Sequence, residues 1–162
     1  MRKLFFLFFI TFGALFAKSY NFKETRYSEA LDKSVILKGV IDFQKDSLSI
    51  SYDKEKKVIK YKNGQVKLFE NSKEVDIPQK QASFMSQYFE ILLILHNHDD
   101  SVLEDDFEIM DVENTTVLFP IGFLKNFIEE IDLRKRDDEY KDIKLVLKNG
   151  DTITINIYDE IH

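Results

Sequence analysis

Apolar and polar residues alternate in the first part of the chain, which is the pattern of a β-strand with one buried face. Leu48, Ile50 and Tyr52 alternate with serines and an aspartate. Before them, residues 35–43 form a β-branched run that is interrupted by Gly39. Glycine inside a strand is typical of a bulge or a sharp bend. The pattern therefore predicts two strands, the second with one face in water.

A hairpin follows, and its register can be predicted. Asn63-Gly64 is the preferred pair for a two-residue type I′ turn. Closure there places Tyr61 opposite Val66 and Ile59 opposite Leu68, all on one face. A slip of one residue would mix apolar and polar side chains on both faces, so the register is well determined.

The same dipeptide recurs near the end of the chain, but it predicts a different turn. A two-residue turn there would place leucines opposite threonines. A three-residue loop, 148–150, with its glycine in the left-handed conformation, instead places Leu145 opposite Ile153 and Ile143 opposite Ile155. This type I turn with a G1 bulge is the next commonest hairpin closure, and the apolar pattern favours it.

Between the two hairpins the apolar residues change to helical spacing. Over residues 79–95, large apolar side chains recur three and four positions apart. They are Phe84, Tyr88, Ile91, Leu92 and Leu95. Pro78 lies where the first turn of a helix tolerates proline, and Asp76 is the predicted cap. The second half of this helix is apolar nearly all round, so it is either deeply buried or covers an apolar guest.

The remaining segments complete a single mixed domain. Residues 107–112 and 116–119 predict two strands joined by a short turn, and 123–127 predicts a short helical segment. Residues 18–33 are interpreted as a polar lead-in, and 134–141 as a polar loop. The predicted fold class is α+β, mostly antiparallel sheet with one long helix inserted midway.

The N-terminus predicts an export signal. Two positive charges in the first three residues precede an apolar stretch, and Ala17 supplies a small residue for cleavage. The alternative is a retained membrane anchor, but residues 4–17 fall short of the roughly 20 needed to span a bilayer. We therefore expect residues 1–17 to be a cleavable signal peptide and 18–162 to be one exported domain.

Charge and cysteine content exclude several classes of function. Loss of the two basic residues at the N-terminus leaves 21 basic and 29 acidic residues, a net charge of −8. No basic run offers a contact face for nucleic acid. The chain has no cysteine, so the domain must be held together by packing and cannot carry a lipid on its own N-terminal cysteine.

The chain contains few candidates for catalysis or metal binding. It has no glycine-rich phosphate loop, no nucleophile elbow and no cysteine to activate, so no enzymatic activity and no cofactor are predicted. His96 and His98, followed by two aspartates, resemble a metal cluster. They also lie just past a helix end, where a cationic histidine favours the helix dipole, and we prefer this reading to a metal site. The acidic groups at 104–106 and 129–130 are interpreted as solvated surface.

The one-sided apolar sheet and the apolar helix leave two interpretations open. They can form an ordinary solid core, or they can close incompletely and leave a cavity for an apolar ligand. Sequence periodicity does not separate the two, because the same inward residues serve both. The candidate lipid-binding residues are Leu48, Ile50, Tyr52, Ile59, Tyr61, Leu68, Phe84, Tyr88 and Leu92.

The order of four segments resembles that of the periplasmic lipoprotein carrier (LolA-like) family. No single motif is specific, and the likeness lies in the ordered set. The segments are the alternating strand at 48–52, the hairpin at 62–71, the helix at 84–95 leading to 103–109, and the run from 118–120 through 128–133 to 147–155. The resemblance implies an incomplete, half-open antiparallel β-barrel covered by helices over an apolar interior.

The resemblance also implies a function in the periplasm. Members of this family carry acylated lipoproteins from an inner-membrane transporter to an outer-membrane receptor. The chain departs from the family pattern in two ways: Lys45-Asp46-Ser47 stands where the family often carries Arg-Pro, and the family's C-terminal extension is missing. With these two departures, the sequence also fits a divergent member of the family that carries another envelope lipid. The alternative is a non-catalytic interaction module or an accessory subunit of an envelope complex.

Overall fold

The computed structural model describes residues 18–54, 56–97 and 103–161. The predicted signal peptide and His98 lie outside these residues. Within these ranges, one antiparallel sheet and one long α-helix form most of the domain. In chain order the elements are β1 (Lys18–Ser28), β2 (Lys33–Phe43), β3 (Ser47–Tyr52), β4 (Lys57–Lys62), β5 (Gln65–Glu70), β6 (Lys73–Val75), α1 (Gln79–His96), β7 (Phe107–Val112), β8 (Thr115–Pro120), a 3₁₀ turn (Phe123–Asn126), β9 (Ile128–Arg136), β10 (Glu139–Leu147) and β11 (Thr152–Ile161).

The eleven strands form one open sheet in the order β6-β5-β4-β3-β2-β1-β11-β10-β9-β8-β7. Strands β6 and β7 lie at the two ends and do not pair with each other, so the sheet does not close into a barrel. Helix α1 packs against strands from both halves, among them β3, β5 and β10. The predicted α+β fold, a half-open antiparallel sheet covered on its apolar face, is confirmed.

The segment interpreted as a polar lead-in is in fact a strand at the middle of the sheet. Strand β1 pairs with β2 on one side and β11 on the other. Tyr20 and Phe22 are buried on its inner face, and the next two inward positions are Glu24 and Arg26. Two charged residues in these positions hide the apolar alternation, which is why the sequence pattern missed this strand.

Both hairpins that contain Asn-Gly have the predicted registers. In the first, Tyr61 lies opposite Val66, and Asn63 and Gly64 have φ angles of 48° and 76°, as a type I′ turn requires. In the second, the pairing continues through a three-residue loop to the predicted partners, and the φ angle of Gly150 is 84°. Local turn chemistry and the apolar pattern agree in the first hairpin, and in the second the apolar pattern selects the correct turn.

The predicted polar loop at 134–141 is wrong, because this segment is another tight hairpin. Strands β9 and β10 continue until Arg136 pairs with Glu139. Only Asp137 and Asp138 form the turn, with φ angles of 54° and 62°. Aspartate tolerates this left-handed conformation better than most residues, so two aspartates do here what Asn-Gly does elsewhere.

Helix α1 matches its predicted span, but its predicted cap is wrong. Pro78 occupies the N-cap position and no side chain caps the helix, so Asp76 plays no capping role. The second half of the helix is buried, as its all-round apolar pattern indicated. Among the residues that the structure describes, no helix is long and apolar enough to span a bilayer.

Gly39 marks a close approach of two strands, and the β1–β2 register runs through it without a bulge. A Cβ atom at this position would lie 1.9 Å from the carbonyl oxygen of Ser51. The missing side chain also lets the rings of Phe22 and Tyr52 meet above the glycine, with centroids 5.6 Å apart. Glycine is therefore required by the backbone geometry of β2 and β3.

Candidate functional site

A cavity of about 340 Å³ lies between the first half of α1 and the inner face of the sheet. This volume is within the range of about 300–1,000 Å³ that is usual for ligand pockets. Its wall is mainly apolar and contains four polar or charged residues. The apolar lining residues are Leu37, Tyr52, Ile59, Leu68, Phe84, Met85, Tyr88, Phe89 and Ile153, and the others are Glu24, Arg26, Lys57 and Gln81.

Residues from one face of α1 and from the inner face of the sheet line the cavity. On α1 the lining positions are spaced by three and four residues, from Gln81 through Met85 to Phe89, so they share one face. On the sheet, Ile59 of β4 lies opposite Leu68 of β5, and both point to the helix. The cavity therefore follows from ordinary helical and strand periodicity.

Five of the nine residues predicted from the sequence line this cavity. They are Tyr52, Ile59, Leu68, Phe84 and Tyr88. Leu48, Ile50, Tyr61 and Leu92 are not in its wall and instead belong to the packed core beside it. Tyr61 lies 6.3 Å from Phe89, ring centroid to ring centroid. The cavity thus lies beneath the first half of α1, and a smaller one of about 150 Å³ lies against the second half, where Ile91 and Ile94 line it.

The cavity wall also contains a charged cluster that the sequence pattern did not predict. Glu24 is only 2% exposed and is the one buried charged side chain among the described residues. Its carboxylate pairs with the Arg26 guanidinium and accepts a hydrogen bond of 3.2 Å from the Tyr52 hydroxyl. Arg26 also donates to the Tyr52 oxygen at 3.3 Å. The three residues form a closed set that satisfies the buried carboxylate.

Tyr52 of this cluster and Tyr88 beside it remain protonated at neutral pH. Burial, and then the negative charge of Glu24, raises the pKa of Tyr52 and of Tyr88 well above the ordinary value for a phenol. Tyr88 differs from Tyr52 in one respect. Its hydroxyl oxygen is buried and has no hydrogen-bond partner within the described residues.

These raised pKa values predict that stability falls at high pH. In the unfolded chain a tyrosine loses its proton near pH 10, whereas the buried Tyr52 keeps it to higher pH. The unfolded state then binds fewer protons, so the free energy of unfolding decreases as pH rises above about 10. Urea unfolding at pH 9 to 11 is expected to show this decrease, and Tyr52→Phe should have a shallower slope. An equal slope in wild type and variant would contradict the assignment to Tyr52.

The histidine of the predicted cluster that the structure describes takes part in packing. The His96 ring stacks on Phe43, with centroids 4.0 Å apart and planes 10° apart, and meets Tyr20 edge-on at 5.8 Å. His98 and the two aspartates after it lie outside the described residues. Within the described ranges, no three histidine, cysteine, aspartate or glutamate residues are grouped to hold a metal ion.

Comparison with known proteins gives a likeness of fold only. No protein-family model and no curated protein matches the sequence. A domain from Vibrio parahaemolyticus, assigned to the outer membrane lipoprotein-sorting proteins, matches with a TM-score of 0.50 and 8% identity, over 90% of this chain and 84% of that one. A LolA superfamily protein from Nitrosomonas europaea matches with a TM-score of 0.43 and 7% identity, over 91% of this chain and 86% of that one. The match to the Vibrio parahaemolyticus domain shows a shared fold in divergent sequences.

Proposed function

We propose that this protein is a periplasmic, non-catalytic carrier that binds an acyl chain of a lipoprotein or another envelope lipid in the cavity beneath α1. The observation that carries the proposal is the apolar cavity of about 340 Å³ itself. The solved relative that is described as a lipoprotein-sorting domain supports the same class of ligand.

The energetics of such a carrier depend on apolar burial. Each buried methylene of an acyl chain contributes about 0.8 kcal/mol, so ten methylenes contribute about 8 kcal/mol, the scale of micromolar affinity. A surface ion pair contributes at most about 1 kcal/mol. Release therefore needs an acceptor that offers the chain equal burial. An inner-membrane donor and an outer-membrane receptor would supply the two ends of such a transfer.

The first test is whether the protein binds a lipid at all. We expect native mass spectrometry of protein isolated from the periplasm to show co-purified lipid. The delipidated protein should bind N-phenylnaphthylamine, a neutral apolar dye, and lipid should displace it. Clean apo protein that binds neither dye nor lipid would contradict the carrier proposal.

A cavity-filling variant tests where the lipid binds. Met85 lies in the cavity wall on α1, and Met85→Trp adds a large ring to that space. We expect dye and lipid affinity to fall by at least about tenfold, because the acyl chain and the indole compete for the same volume. The chain has no other tryptophan, so a blue-shifted emission would show independently that the indole is buried.

The control is the same substitution outside the cavity. Met110 on the terminal strand β7 is 47% exposed, and Met110→Trp should leave lipid affinity unchanged and give red-shifted emission. An equal loss of lipid affinity in both variants would place the lipid outside this cavity. The same conclusion would follow if Met85→Trp kept its lipid affinity while its emission showed a buried indole.

The second candidate function is a non-catalytic interaction module, which one feature of the surface favours. Strand β7 and the segment after β8 expose several large apolar side chains. They are Ile109, Met110, Val112, Ile121 and Phe123. Exposed apolar groups at a sheet edge are typical of a contact with another protein. Failure of the lipid-binding tests would favour this function.

A further inference from the structure

The sheet ends in an open edge at strand β7. This strand pairs with β8 over six residues without a bulge, and no described strand pairs with its other side. The opposite end of the sheet, β6, has only three residues and includes a lysine. Sheet edges are commonly protected by shortness, lysine, proline or a bulge. Strand β7 has none of these four features, so its edge is suited to receive another strand.

The free backbone groups of β7 follow from its register with β8. The Ile121 N–H donates to the Asp106 carbonyl oxygen at 2.9 Å, and hydrogen-bonded pairs of an antiparallel ladder recur at every second residue. The register therefore directs the backbone groups of Met110 to β8 and leaves those of Ile109 and Asp111 pointing away from it. Ile109 and Asp111 thus offer donors and acceptors to an added strand.

Both faces of this edge carry exposed apolar side chains. Ile109 lies opposite the buried Leu118, so it is on the inner face of the sheet. Met110 and Val112 alternate with it and are therefore on the outer face. All three residues of β7 are exposed. An added strand would cover them on both faces through cross-strand contacts.

The charge around β7 has one sign. Between Lys80 and Lys125 the chain has no lysine or arginine. Six acidic residues of this stretch are exposed and form no ion pair within the described residues. They are Glu104, Asp105, Asp106, Glu108, Asp111 and Glu113. On the two strands behind β7, Arg134 comes closest in register, but it lies opposite Thr115 and donates to that hydroxyl. The acids at the edge are therefore available to an external cation.

Charge separates the candidate occupants of the edge. If two copies of β7 paired antiparallel about the middle of the strand, Glu108 of each would lie opposite Asp111 of the other, and like charges in that position are destabilising. An anionic lipid surface would be repelled by the same acids. A protein segment with lysine or arginine between apolar residues meets neither penalty.

We propose that a basic, extended segment of a partner protein adds to the sheet beside β7. Its backbone pairs with Ile109 and Asp111, its apolar side chains cover those of β7, and its lysine or arginine side chains lie next to the exposed acids. Backbone pairing supplies the affinity and charge supplies the selectivity. The edge lies outside the cavity wall, so this inference is independent of lipid binding and specifies the partner that the exposed edge would take.

Fluorescence anisotropy with labelled short peptides tests the proposal on the whole exported chain. The basic probe alternates lysine with valine, and the acidic probe has glutamate in place of each lysine. A third probe is the basic peptide with its backbone amides N-methylated, which keeps the charge and removes the backbone donors. We expect the basic probe to bind at least about tenfold more tightly than either of the others at low salt, and its affinity to fall as salt is added.

Ile109→Pro tests the backbone pairing. The substitution removes an N–H that points away from β8, and edge strands tolerate proline, so the variant should keep the wild-type circular dichroism spectrum. We expect its affinity for the basic probe to fall at least about threefold, the effect of one lost backbone hydrogen bond. Ile109→Ala keeps the N–H and should lose less affinity than Ile109→Pro.

Charge reversal gives a second test, which remains decisive if the proline variant unfolds. Glu108→Lys with Asp111→Lys should lower affinity for the basic probe at least about tenfold and raise affinity for the acidic probe. The control is Asp53→Lys with Asp76→Lys, which changes the net charge equally at exposed positions in the other half of the sheet. This control should stay within about twofold of wild type.

Several results would overturn the inference. They are no binding of the basic probe, equal binding of its N-methylated form, or unchanged affinity in the charge-reversed variant or in a folded Ile109→Pro. A wild-type dimer in sedimentation that Ile109→Pro dissociates would assign the edge to a second copy instead. Because none of the substituted residues lines the cavity, dye and lipid affinity are measured separately, and failure here leaves the carrier function standing.

Discussion

Gly39→Ala is expected to destabilise the protein by about 3 kcal/mol, the upper part of the range for an added methyl in a packed interior. The new Cβ would lie 1.9 Å from the Ser51 carbonyl oxygen and 3.0 Å from the Tyr52 Cα. These are backbone atoms, so no rotamer change relieves the clash, and β3 must move away from β2. Thermal unfolding followed by circular dichroism should show a midpoint roughly 10 °C lower.

Two other glycines supply matched controls for this effect. Gly122 has open space around its Cβ position, but its φ and ψ angles of −74° and −130° lie outside the main regions of L-residues, so Gly122→Ala should cost only about 1 kcal/mol in backbone strain. Gly64 also has open space, but its φ angle is 76°, so Gly64→Ala should cost about 1 kcal/mol in backbone strain. Equal midpoints for the alanine variants of Gly39 and Gly122 would contradict the close approach.

The parts of this fold that could be predicted are those encoded by neighbouring residues. In the first Asn-Gly hairpin, the turn residues and the apolar alternation are independent signals that select the same register, and in the second the alternation selects between two turns. The helix likewise shows its period over about three consecutive turns, from Phe84 to Leu95. Next to the turn at Asp137 and Asp138 the apolar alternation is lost, because charged residues occupy both strand ends. There the turn chemistry alone was too weak to predict a strand.

Strand β1 was missed because of two charged residues on its inner face, and these same residues belong to the cavity wall. Its inner face carries apolar residues at Tyr20 and Phe22 and then charged residues at Glu24 and Arg26. A strand is recognised by the apolar residues on its buried face. Strand β1 lacks that signal where its inward positions carry the ion pair. The hydroxyl of Tyr52, contributed by another strand, completes the pairing, and no local pattern joins positions so far apart in sequence.

The boundary between cavity and core could not be predicted at all. Tyr61 and Ile59 are two residues apart on β4 and face the same way, yet Ile59 lines the cavity and Tyr61 is packed against Phe89. Which of the two lines the cavity depends on how the whole helix crosses the sheet, and that is a property of tertiary packing and not of residue type.

The same ion pair, in which Glu24 is buried and Arg26 is half-exposed, gives the second large expected effect. Arg26→Met is expected to lower the free energy of unfolding by about 3 kcal/mol, because it leaves the Glu24 carboxylate buried without its cation. We take the lower end of the range for buried pairs because the Arg26 side chain is 51% exposed. Urea unfolding at pH 7 measures the change.

The partner variants determine whether the loss of stability comes from the ion pair or from the packing of the two side chains. Glu24→Leu alone should cost less than Arg26→Met, since the guanidinium that it leaves unpaired already reaches water. The double variant Glu24→Leu with Arg26→Met should recover to within about 1 kcal/mol of wild type, because apolar replacement of a whole buried pair is often neutral or stabilising. Lys38→Met, on the exposed outer face of β2, should stay within about 0.5 kcal/mol. A double variant as unstable as the sum of the single variants would mean that the two side chains act independently, and that the charge of Glu24 does not depend on Arg26 for its burial.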